Sequence, residues 1–67
     1  MIEAFKFYII ACLDDKNGYI YNILNNHIYM GKRVLRYYTK GVKQAGYKIY
    51  ELTGMREVKL DEEATNN

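Results

Sequence analysis

Five cations, Lys32, Arg33, Arg36, Lys40 and Lys43, fall in a stretch from Gly31 to Lys48 that carries three tyrosines and no acid. Lysine and arginine side chains only donate hydrogen bonds, so a cluster of them suits phosphate or carboxylate oxygens. Against nucleic acid, such contacts supply affinity and orientation without reading base sequence. A nearby tyrosine ring adds a surface on which a base can stack, and Tyr37 is the candidate within the stretch. The expected binding set is therefore Lys32, Arg33, Arg36, Lys40, Lys43 and Tyr37, facing nucleic acid or an acidic protein surface. A solvated helix face usually mixes signs, because acid and base four residues apart support each other; here Lys32/Arg36 and Arg36/Lys40 are like-charged at that spacing.

Other chemistries find little material. The chain has no serine, a single cysteine (Cys12) and a single histidine (His27), so neither a serine nucleophile nor an intramolecular disulfide nor a Cys/His zinc set can be assembled. Its glycines, at 18, 31, 41, 46 and 54, are too scattered for a phosphate-binding loop. Asp14 and Asp15 read as turn residues, and Cys12, within an apolar run, as a small buried hydrophobe. No catalytic residue, metal or cofactor is expected, and the chain does not read as an enzyme.

The elements that must position the cations follow from periodicity. Phe5 to Leu13, FKFYIIACL, is β-branched and aromatic and reads as a strand covered on both faces. Asp15-Lys16-Asn17-Gly18 suits a bulged hairpin turn, returning along Tyr19 to Leu24 with Leu13 opposite Tyr21 and Ala11 opposite Ile23. That register gathers Phe5, Phe7, Ile9, Ala11, Leu13, Tyr21 and Ile23 on the expected core face. It leaves Tyr8, Ile10, Cys12, Ile20 and Leu24 on a reverse face apolar enough to meet a protein partner or a second copy. Asn25-Asn26 reads as a tight turn leading to a short extended piece, His27 to Met30.

From Lys32 to Ala45 the apolar period becomes that of a helix, with Val34, Leu35, Tyr38, Val42 and Ala45 on one side and the cations opposite. Gly46 is placed to cap it. Tyr47 to Leu52 and Met55 to Leu60, separated by Thr53-Gly54, suggest a second hairpin. The order β-β-(β)-α-β-β predicts an α+β domain, a small mostly antiparallel sheet with one basic amphipathic helix packed on one face. It occupies residues 1–60, followed by a polar acidic tail, 61–67, expected to be disordered.

At 67 residues the chain has room for one core, and a domain of this size buries only about 60% of its unfolded surface. The net charge of +2 is unevenly spread: −1 over residues 1–30, +6 over 31–50 and −3 over 51–67. No apolar run is long enough to span a membrane and the N-terminus lacks signal-peptide features, so a cytoplasmic protein without a membrane partner is expected. Abundant Ile, Tyr, Asn and Lys with no Pro or Trp fits AT-rich coding, as in many low-GC bacteria and their phages. The functional expectation is a small regulatory protein bound to nucleic acid through the basic face. The alternative is a phage or mobile-element type of inhibitor docking on a host enzyme or defence complex, acting as a homodimer.

Overall fold

The structure, a computed structural model, describes residues 2–60. The expected tail, 61–67, lies outside the described residues. Strand β1, Phe7–Asp14, has the β-branched and aromatic content that favours a pleated, packed surface, and it forms the middle of a four-stranded antiparallel sheet. Strand β2, Tyr19–Ile23, pairs with its C-terminal half, and the two-residue β3, Tyr29–Met30, pairs with Phe7 and Tyr8. Strand β4, Lys48–Leu52, runs beside Phe7 to Ala11. Phe7 and Tyr8 pair with both β3 and β4, and Ala11 pairs with both β2 and β4. So β2 and β3 share one edge of β1 while β4 holds the other. Two short helices, α1 (Val34–Tyr37) and α2 (Lys40–Gln44), complete the α+β fold on one face of the sheet.

The first turn is built by Asp14 rather than Asp15. Its carboxylate accepts the backbone N–H groups of Lys16 and Asn17, each at 3.1 Å, and the Asn17 amide at 2.9 Å. Its carbonyl accepts Gly18 N–H at 2.7 Å, with Gly18 at φ +73°. Ala11 faces Ile23 as expected, but a bulge between Cys12 and Leu13 moves the rest of the register, so that Leu13 faces Ile20 and Asp14 faces Tyr19. After β2, Asn25 and Asn26 both take positive φ, 57° and 47°, in a 3-10 turn that redirects the chain into β3.

The main core cluster lies on the face opposite to the one expected, although Ile9 and Ala11 of the expected face are buried as well. Tyr8 and Ile10 are buried against Tyr29 and Val34, with Leu24, Tyr38, Val42, Tyr47 and Ile49 packed around them. Every second residue of β1 is apolar on both sides, so alternation alone does not select a face; the helical layer selects it by seating Val34 there. Tyr8, Ile10 and Cys12, expected on a surface open to a partner, are therefore core residues, and Leu24 is half-buried beside them. Ile20 is carried by the bulge to the other face, where it is exposed.

The helix expected from Lys32 to Ala45 is broken. Gly31–Arg33 forms a 3-10 turn, α1 ends at Tyr37 with Tyr38 leaving the helix (φ −92°, ψ 70°), and Thr39 starts α2 by accepting the Val42 N–H on its hydroxyl at 3.3 Å. Tyr38 turns inward instead and donates its hydroxyl to the Tyr47 carbonyl at 3.0 Å. Leu35 and Ala45, expected in the core, are exposed as a result. α2 closes as a Schellman motif: Gly46, at φ +97°, donates to the Lys43 carbonyl and Tyr47 to that of Val42. The expected second hairpin is also absent among the described residues. β4 pairs with β1, and residues 53–60 make no strand pairing, leaving Met55, Val58 and Leu60 exposed.

Two outcomes follow from this architecture. Gly31 is buried at φ +60° and donates to the Lys6 carbonyl at 2.6 Å, and a Cβ there would run into the Ala4 backbone, with Ala4 Cα at 2.9 Å. Gly31→Ala should lower stability by at least about 2 kcal/mol, read by urea denaturation, from left-handed strain plus this clash. Asp14 is held below the ordinary carboxylate range by the Asn17 amide and by backbone donors. Its contribution is thus present above about pH 4, where the unfolded carboxylate ionises, and lost as pH falls through the lower folded value. Thermal melts should show Asp14→Asn less stable than wild type at pH 7, with the gap closing below about pH 4.

Candidate binding surface

The turn at Gly31 and helix α1 carry the cations onto the outside of the helical layer. Val34 anchors that layer, being fully buried under the β1 core, so its neighbours Lys32, Arg33 and Arg36 point into solvent. Together with Tyr37 they line an open groove of about 390 Å³. Among the described residues the ion pairs belong to Lys6, with Glu3 at 3.7 Å and Glu51 at 3.5 Å; none of the groove cations joins one. The Glu3 and Glu51 carboxylates raise the Lys6 pKa, in that order.

The position of Tyr37 is set by aromatic packing. Its ring stacks on Tyr29 with centroids 4.7 Å apart and planes 28° from parallel, leaving it about half exposed. Tyr29 is buried at the edge of the core and takes an edge-on contact from His27 at 4.6 Å. The Asn25 amide donates to its hydroxyl at 3.4 Å. Tyr37 therefore presents a half-exposed ring at the rim of the cation cluster while it stacks on the buried Tyr29.

Four of the six residues singled out from sequence, Lys32, Arg33, Arg36 and Tyr37, are brought together. Lys40 and Lys43 are exposed on α2, beyond the break at Tyr38, and do not line the groove. Sequence reasoning missed Tyr29 and His27 as supports, since they are eight and ten residues from Tyr37 and on a different element. Cys12 is buried within β1, and Asp14 is engaged in its turn. No helix among the described residues is long and apolar enough to cross a membrane. Comparison with protein-family models, with curated proteins and with solved structures finds no match.

If the Tyr29–Tyr37 stack fixes the groove wall, Tyr37→Leu should destabilise the fold by about 0.5–1.5 kcal/mol, the worth of an aromatic pair beyond its area. A shift of the urea midpoint at unchanged slope is the readout.

Proposed function

We propose that the chain is a small non-enzymatic protein that binds nucleic acid. Phosphates sit against Lys32, Arg33 and Arg36, and an unpaired base stacks on Tyr37. The observation that carries this reading is the adjacency of three cations, in no ion pair among the described residues, to a half-exposed ring stacked on Tyr29. A positive groove tracking the backbone, beside an aromatic platform, is the arrangement that takes single strands without sequence preference. Lys40 and Lys43 add field from the adjoining turn and steer approach, with less weight in the bound complex. A cytoplasmic setting suits a chain whose single cysteine has no partner for oxidation.

Fluorescence anisotropy with labelled single- and double-stranded DNA and RNA tests this. Single strands should bind saturably, with log affinity falling against log salt at a slope of about −2, as expected for three neutralised phosphates. Arg36→Glu should abolish that binding near physiological salt. Tyr37→Leu should weaken it roughly five- to 150-fold, the equivalent of one lost base stack. Lys40→Glu with Lys43→Glu should cost less than Arg36→Glu alone. Absence of saturable binding at low salt, or binding indifferent to Arg36→Glu, overturns the reading.

A further inference from the structure

The basic groove gathers Lys32, Arg33 and Arg36 at one concavity, and no acid among the described residues pairs with them. The chain's longest acidic run, Asp61-Glu62-Glu63, stands in a stretch from Leu60 to Asn67 that carries no base. It begins nine residues after Leu52, the last residue of β4. The sheet register puts the root of that segment and the root of the groove at the same end of the fold. Leu52 and Met30 are both Cα partners of Phe7, one on each side of β1. Neighbouring strands lie about 4.8 Å apart, so these two residues are roughly 10 Å from each other. Lys32 follows Met30 by two residues and Arg36 lies on the helix just beyond, which sets the groove roughly 15–25 Å from Leu52. Nine extended residues reach about 30 Å. The direction also suits: Thr53, Gly54 and Met55 line one concavity with Phe7 and Ile28, so the chain leaving β4 passes the end of β1 on the way to the side of β3 and Gly31. Residues 53–60 are exposed and make no strand pairing that would hold them away from that side.

We infer that Asp61, Glu62 and Glu63 dock in the basic groove of their own chain and hold its anion positions until a polyanion displaces them. Carboxylate oxygens accept from lysine and arginine as phosphate oxygens do, so the segment and a nucleic-acid backbone compete for the same donors. Glu3 and Glu51 are engaged by Lys6 instead. Exposed ion pairs are individually weak. A ligand tethered within reach of its site, however, meets it at roughly millimolar effective concentration, so weak pairs suffice to fill the groove and still let go. The segment brings no ring to Tyr37, and a base that stacks there keeps an advantage over it. The docking stands without the nucleic-acid reading; only its effect on nucleic-acid affinity rests on that reading.

Paramagnetic broadening in the full 67-residue chain is the test, with a nitroxide on Asn66→Cys and Cys12 buried away from the reagent. At low salt the amide signals of Lys32, Arg33, Arg36 and Tyr37 should lose roughly half or more of their intensity, as for a groove occupied most of the time. The turn from Asp14 to Gly18, at the far end of β1, should stay sharp. Asp61→Asn/Glu62→Gln/Glu63→Gln should restore the groove signals, as should Arg36→Glu or about 1 M salt, where the Debye length is about 3 Å. In anisotropy at low salt the triple variant should bind single strands roughly three- to tenfold more tightly than wild type, the factor by which a mostly occupied site weakens apparent affinity. Groove signals that stay sharp in the labelled wild type, or broaden equally in the triple variant, overturn the inference. Broadening seen only on an isotope-labelled chain mixed with a spin-labelled one overturns it too, in favour of docking between copies. The broadening experiment contains no nucleic acid, so a failure of the nucleic-acid reading shows separately, as absence of strand binding by wild type and triple variant alike.

Discussion

Strand β1 is hydrogen-bonded along both edges, and all four strands meet through it. Its inner face needs a cover, which the chain supplies from a point fixed by a close backbone approach. Gly31 donates to the Lys6 carbonyl beside the Ala4 backbone, in a space no side chain could share. That contact ties the arm before β1 to the start of the helical layer and sets where Val34 descends into the core. From there the consequences run outward: with Val34 seated, Lys32, Arg33 and Arg36 face solvent, and Tyr37 falls over Tyr29.

The composition of β1 made its existence legible from sequence, as did the turn chemistry around Asn17-Gly18 and the left-handed cap at Gly46. The α+β class followed from the order of periodicities. The parity of the sheet was not legible, for a physical reason: Tyr8, Ile10 and Cys12 are as apolar as Phe7, Ile9 and Leu13, so neither set declares itself the inner one. The register beyond Ala11 depended on a bulge that alternation cannot foresee. Residues 47–60 carried a persuasive local hairpin pattern, yet pairing with the central strand buries Ile49 against the core, which a detached hairpin would not.

Within the site, charge clustering was visible because it is local in sequence, whereas the ring geometry was not because Tyr29 and Tyr37 belong to separate elements. The helical period from Lys32 to Ala45 counted apolar positions correctly at Val34, Tyr38 and Val42, which do pack on the core. It failed at Leu35 and Ala45 because it assumed a single straight axis. Thr39 was the overlooked signal: its hydroxyl competes for backbone N–H groups and favours a new helix start over a helix interior.

The break has an energetic logic that bears on the groove. A continuous helix would hold Lys32, Arg36 and Lys40 one turn apart on the same side, with repulsion of a few tenths of a kcal/mol at each step. Ending α1 at Tyr37 and restarting at Lys40 takes Lys40 out of that row and concentrates Lys32, Arg33 and Arg36 around one concavity. Helices of four and five residues have almost no stability of their own, since nucleation costs more than so few hydrogen bonds return. Their shape is therefore held by Val34, Tyr38 and Val42 on the sheet and by the Tyr29–Tyr37 stack. It follows that the positions controlling the groove's geometry are buried and uncharged, and that substitutions in the core beneath α1 should change the spacing of the cations without touching one of them.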